Sequence, residues 1–136
     1  MTNQYKGSCL CGLCSYTIIA VKPEAMYLCH CSRCRKETGS IHAANAFFKS
    51  GQLIWESGIE DNVGYFQLKG TRKQRAFCKN CGSPLPREDD SCQIILPAGT
   101  LDNNILITPT AHIHYASRIS WEDETVNLKR FDNLPE

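Results

Sequence analysis

The chain has almost no net charge: 15 Lys and Arg against 14 Asp and Glu leave +1 over 136 residues. No overall field draws it to nucleic acid or to an anionic membrane surface, and neither is expected as a partner. It has no apolar run near the length of a membrane span. The start, Met1-Thr2-Asn3-Gln4-Tyr5-Lys6-Gly7, lacks the apolar stretch of a signal peptide, which predicts a cytoplasmic protein. Heptads, linkers, low-complexity tracts and a long amphipathic helix are also missing, so the oligomeric state stays unread and nothing divides the chain. The expectation is one domain over residues 1–136, with the charged, unpatterned stretch 122–136 as a loosely held tail.

Against these absences stand nine cysteines. Such a density means either the disulfide framework of a secreted domain or metal ligation in a reducing compartment. The count is odd, and C-x-C pairs sit too close in sequence for comfortable disulfide geometry. Metal ligation is the better reading.

Seven of the cysteines fall into three motifs: Cys9-Leu10-Cys11, Cys29-His30-Cys31-Ser32-Arg33-Cys34 and Cys78-Lys79-Asn80-Cys81. In an extended segment residues i and i+2 share a face, so C-x-C offers two sulfurs to one ion. C-x-x-C does the same across a tight turn, and Gly82 after Cys81 suits one. Zinc–sulfur bonds of about 2.3 Å place tetrahedral sulfurs a little under about 4 Å apart. Structural zinc closes with four ligands, whereas catalytic zinc keeps three and an open position. The motifs thus divide into a structural zinc on Cys9, Cys11, Cys78 and Cys81 and a second zinc on Cys29, Cys31 and Cys34. That makes two ions per chain.

Other uses of these residues compete. A redox pair at Cys78 and Cys81 would want the start of a helix after a βαβ strand, and nothing here reads as βαβ. Cys14 or Cys92 could instead complete a second closed site. Cys92, in the apolar run Cys92-Gln93-Ile94-Ile95-Leu96, reads as a small buried hydrophobe. Cys14 is harder to set aside, since it follows Cys11 at the spacing by which Cys34 follows Cys31. His30, between two same-face cysteines, is expected to point away from the metal as a core or supporting histidine. His112 and His114 would share one strand face and could make a metal pair, but with enough cysteines available structural packing is the better reading.

Strands are expected at 14–19, 41–48, 52–56, 63–68, 74–77 and 91–97, where β-branched and aromatic residues cluster. Turn signals such as Ser50-Gly51, Ser57-Gly58, Lys69-Gly70 and Asp102-Asn103-Asn104 separate them. Residues 26–28 lead into the three-cysteine segment, and 33–37 suit one helical turn closed by Gly39. The fold class is mainly β, a sandwich or barrel-like domain of short strands.

Together these segments resemble the glutathione-dependent formaldehyde-activating (GFA) enzyme family, also called S-(hydroxymethyl)glutathione synthase-like proteins. The matching pieces are Gly7 to Gly12, Cys29 to Lys36 with Gly39, Arg75 to Ser83, Ala98 to Asp102, and His112-Ile113 before Trp121. The resemblance implies a β-tent zinc-binding fold of short antiparallel strands with few short helical turns. It implies the same two zinc sets. Cys14 departs from the family, which usually has an aliphatic residue there.

The resemblance further implies a carbon–sulfur lyase. Such an enzyme would bind glutathione or a related thiol at the open zinc and form or cleave its aldehyde adduct, formaldehyde being the carbonyl partner. Arg33, Arg35 and Lys36 could pair the tripeptide's carboxylates, and Arg72, Lys73 and Arg75 are a second cluster. Solvated turns are the plain alternative for both. No residue stands out as general acid. A non-catalytic zinc-stabilised module binding a thiol or a partner, or a lyase for another carbon–sulfur substrate, fits the same motifs. The polar stretch 85–91 reads as a loop of the pocket wall.

Overall fold

The computed structural model describes residues 1–135. Strands β1 (Asn3–Ser8) and β2 (Ser15–Ala20) form a hairpin; β3 (Ala25–Cys29) leads into helix α1 (Ser32–Thr38), and β4 (Ala43–Phe48) and β5 (Gln52–Ser57) follow. A single helical turn, α2 (Ile59–Asn62), precedes β6 (Val63–Gln67) and β7 (Gln74–Cys78). Four short strands complete the order: β8 (Pro84–Leu85), β9 (Arg87–Glu88), β10 (Ile94–Pro97) and β11 (Ala111–Ile113). They build three sheets, β1-β2-β5, β11-β3-β4-β10-β9 and β6-β7-β8. The expected mainly-β fold of short antiparallel strands with few short helical turns is present. Among the described residues only β11 runs parallel to its neighbour, β3.

Period-two patterning explains the main core. Tyr16, Ile18 and Ala20 of β2 pack with Tyr5 of β1, Ala46 and Phe48 of β4, and Ile94 and Leu96 of β10. The Tyr5 and Phe48 rings meet edge-on at 5.0 Å. Burying each such side chain stabilises by about 1.5–3 kcal/mol. Two smaller clusters carry the cysteines. One joins Cys9, Cys14 and Cys78 to Val63, Ala76 and Leu85. The other joins Cys29 and Cys34 to Ala43, with Cys31 and Ile113 against it.

Several expectations shift. Strand β1 is additional to those expected, and β11 covers Ala111–Ile113, where a strand was expected to carry His112 and His114. The lead-in at 26–28 is a full strand pairing with both β4 and β11. The strand expected at 91–97 begins only at Ile94. Asp89 Oδ1 accepts hydrogen bonds from the Ser91 and Gln93 amides at 2.9 and 3.0 Å, curling the chain there. Within that turn Cys92 is exposed with φ 63°, so it is a turn residue rather than a buried hydrophobe. Of the stretch 85–91, Leu85 and Pro86 are fully buried, while Arg87, Asp89, Asp90 and Ser91 line a cavity of about 300 Å³. His112 and His114 do not share a continuous face: β11 ends at Ile113, and His114 turns into the left-handed region at φ 52°. Of the expected tail, 122–125 form a 3₁₀ turn and the rest of the described stretch is exposed. Its last residue, Glu136, lies outside the described residues.

Candidate metal centres

The hairpin turn after β1 and the turn after β7 face each other. Backbone bonds shape both: Gly12 N to Cys9 O at 3.1 Å, and Gly82 N to Cys78 O at 2.7 Å. Gly12 and Gly82 have φ of 82° and 78°, a conformation only glycine adopts at little cost. Ligand atoms of Cys9, Cys11, Cys78 and Cys81 all lie within 4.8 Å of one another, although 67 residues separate the two motifs. Sulfur separations are 3.6 Å for Cys9–Cys11 and 3.8 Å for Cys11–Cys78. Four thiolates around one tetrahedral ion require that spacing. The Ser83 hydroxyl and amide, with the Cys11 amide, bring Cys81 down to about 5, so one donor is already biased to thiolate.

Cys14 belongs here too. Its amide donates to Cys9 Sγ at 3.3 Å, and its own thiol is fully buried beside Cys78 and Cys9. Burial, then Cys78, pushes it up to about 12, so it stays a thiol. It sits in the four-cysteine corner and is not available to the other cluster.

That other cluster comes from one continuous segment. Cys29 ends β3, Cys31 caps α1, and Cys34 lies in its first turn; the three ligand atoms are within 4.8 Å of one another. Among the described residues no fourth His, Cys, Asp or Glu joins the set. Burial opposes a Cys31 thiolate, yet the Cys34 amide at 3.4 Å, the neighbouring thiols and the Arg33 amide outweigh it and lower its pKa. Burial first and Cys29 next push Cys34 up to about 12, against the pull of Lys73. The Lys73 ammonium stands 3.6 Å from Cys34 Sγ and pairs with Glu37. Burial works against that charge, but Glu37 holds the Lys73 pKa above the usual lysine value.

A cavity of about 260 Å³ reaches the cluster through Lys73, whose ammonium touches Cys34; no cysteine lines it. Arg33, Lys36, Lys73 and Arg75 supply its cations, and Phe66 and Leu68 its apolar wall. The family model for the glutathione-dependent formaldehyde-activating enzyme matches residues 4–117. The chain belongs to that GFA family. An "Uncharacterized lyase" of Schizosaccharomyces pombe is 32% identical over 83 residues, which span 60% of this chain and 56% of that relative. The match thus covers little more than half the relative's length. The crystal structure of a Rhodobacter sphaeroides protein shares the fold, with a TM-score of 0.51 at 19% identity, over 79% of this chain and 98% of that one.

Against the GFA motif, the basic residues sort by geometry. Arg33 and Lys36 are exposed at the cavity rim. Arg35 does not line the cavity: its guanidinium donates to the carbonyls of His30 at 3.2 Å and Ser117 at 3.4 Å, clamping the backbone. Arg75 lines the cavity but donates to Glu37 O at 3.1 Å and Gly82 O at 2.8 Å, tying one cysteine segment of this GFA chain to the other. Glu37 escaped the sequence reading entirely. A basic cluster that includes Lys73, facing an acidic helix residue after Cys34, was the one available signal.

His30 points away from the sulfurs, as expected of a supporting histidine, and is fully buried. Its Nε2 lies 2.7 Å from His112 Nδ1 and its Nδ1 lies 2.7 Å from Glu122 Oε1. His42 stands beside them, its pKa lowered by burial first and then by His30 and His112. Among the described residues no helix is long and apolar enough to cross a membrane.

Proposed function

We propose that this GFA-family chain is a zinc-dependent carbon–sulfur lyase of the S-(hydroxymethyl)glutathione synthase type, working in the reducing cytoplasm on glutathione or a related thiol and its aldehyde adduct. One observation carries this reading: among the described residues the three-thiol cluster has no fourth His, Cys, Asp or Glu, and Lys73 links it to a cation-rimmed cavity. The donor chemistry suits zinc at both clusters. Cys9, Cys11, Cys78 and Cys81 would hold a structural ion, and Cys29, Cys31 and Cys34 a second one. When bound there, zinc supplies a Lewis acid that lowers the pKa of a coordinated thiol.

The chain's own residues do the rest. Arg33 and Lys36, free at the rim, pair the carboxylates of a glutathione-like tripeptide. Lys73, kept charged by Glu37, offers a fixed cation where sulfur or alkoxide charge develops, an arrangement set before reaction. Phe66 and Leu68 cover one side and limit water. Arg75, spent on two carbonyls, shapes the cavity rather than binding the thiol. The position of Cys14 in the other corner weakens the closed alternative for this site.

Glutathione titrated into cobalt-substituted protein tests the proposal. A shift of the thiolate–cobalt bands, with adduct turnover followed by proton NMR, is the expected result. An unchanged spectrum would mean a closed, non-catalytic module. Turnover with other thiols but not glutathione would move the substrate and keep the chemistry.

A further inference from the structure

Behind the three-thiol segment, on the side to which His30 points, four polar side chains converge. One donor atom each from His30, His112 and Glu122 lies within 4.8 Å of the other two. The His30 ring centroid is 4.9 Å from that of His112 and 5.1 Å from that of His42. His30 is fully buried, and the Glu122 side chain is only 11% exposed. Buried polar atoms in native folds almost always find an aligned partner. Yet His30 Nδ1, His42 Nδ1 and Glu122 Oε1 all lack one, the close His30–Glu122 contact being misaligned. His30 Nδ1 and Glu122 Oε1, 2.7 Å apart without an aligned bond, would both be satisfied by an occupant they can ligate. The cluster opens to a cavity of about 510 Å³ lined by His42, His112 and Glu122, with Ser40, Trp121 and Thr125.

We propose that His30, His112 and Glu122 form a third metal site, independent of the thiol-binding reading, for a borderline divalent ion of the zinc, cobalt and nickel class. Two imidazoles and one carboxylate are a donor set such ions accept with one position open, here toward the cavity. Donors on one tetrahedral ion at about 2.1 Å sit roughly 3.4 Å apart, so shifts of about an ångström complete the site. The parts that must move can: His112 is exposed, and Glu122 lies on a short 3₁₀ turn in an exposed stretch. His42 forms the inner wall beside them. An ion here would fasten the segment after β11 to the backbone that presents Cys29 and Cys31.

The test is cobalt titration of the purified full chain. Thiolate-to-cobalt bands in the near ultraviolet count the cysteine sites, and a further equivalent must add only weak visible d–d absorption. His112→Ala, at an exposed position, should abolish this last equivalent while the thiolate bands persist and certify an intact fold. Glu122→Gln should weaken it by about 10- to 100-fold or more, on the scale of losing a ligating or supporting carboxylate. Resistance of residues 114–135 to limited proteolysis should rise with the third equivalent in the wild type only. Saturation without a nitrogen–oxygen equivalent overturns the proposal, as does its persistence in His112→Ala. Fewer thiolate bands than two sites require would sink the cysteine assignment and leave this site judged on its own absorption.

Discussion

The two cysteine clusters use the same donor and sit in opposite settings. The four-thiol corner joins two turns far apart in sequence, and apolar neighbours Val63, Ala76 and Leu85 surround it. The three-thiol cluster comes from six consecutive residues at the start of α1 and meets charge on one side, Lys73 with Glu37. A site that closes a long loop removes conformational freedom from the unfolded chain, and its loss is felt by the whole fold. A site built from local chain can lose its ion and keep its scaffold, because β3, β4 and α1 are held by their own ladders. Long-range donors make a staple, and local donors leave a place for a ligand.

The largest expected effect breaks the staple. Structural zinc contributes on the order of 10 kcal/mol of apparent binding free energy, comparable to the whole stability of a domain at about 5–15 kcal/mol. Cys78→Ala should therefore abolish the cooperative thermal transition and give an unfolded far-ultraviolet spectrum. A folded Cys78→Ala protein with normal melting would reverse the roles of the two clusters. Cys31→Ala is the complementary break. It should remove one zinc per chain by elemental analysis, leave the fold, and reduce adduct turnover to background.

Next in size is the charge beside the open cluster. Lys73→Met keeps the stem and deletes the ammonium, and should lower kcat/KM by about 10- to 100-fold with metal content unchanged. The upward shift of Lys73 also fixes a sign. Its pairing with Glu37 stabilises fully below the unfolded lysine pKa and is lost as pH rises through the raised folded value. The stability gap between wild type and Lys73→Met should thus close in strongly alkaline solution, as read by urea titration across pH. An equal gap at all pH values would mean that packing, not charge, is what Lys73 supplies.

The four-plus-three division was legible because metal spacing is a local rule: C-x-C and C-x-x-C constrain where sulfurs point whatever the fold. So was the helical turn after Cys31, with Gly39 in the left-handed region at φ 64° as its cap. Partners made by the fold were not. Arg35 looks like a rim cation in sequence and becomes a clamp because α1 turns it toward Ser117. Cys92 reads as core within an apolar run, but the Asp89 turn redirects it to solvent. Glu122, first residue of a stretch that reads as tail, reaches His30 across 92 positions because β11 lays the chain parallel to β3. Parallel pairings leave no short-range trace, since their connections are long.

The smallest expected effect sharpens the comparison at its one ambiguous residue, Cys14. The fifth thiol in the four-cysteine corner donates its amide to Cys9 Sγ, and that contact survives any side-chain replacement. Its own thiol lies outside the set of four whose ligand atoms gather within 4.8 Å of one another. Cys14→Ala should then cost only the packing of one small buried group, about 1 kcal/mol in urea unfolding, with both zinc ions retained. Cys14→Val, which restores buried apolar volume, should recover part of that loss unless Gly58 resists. A Cβ on Gly58 would already approach Cys14 Sγ to 2.9 Å, so the second methyl of valine has little room on that side. Loss of a zinc ion in either variant would make Cys14 one of the four ligands of the corner. Retention of both leaves the staple with four, and the open cluster with three.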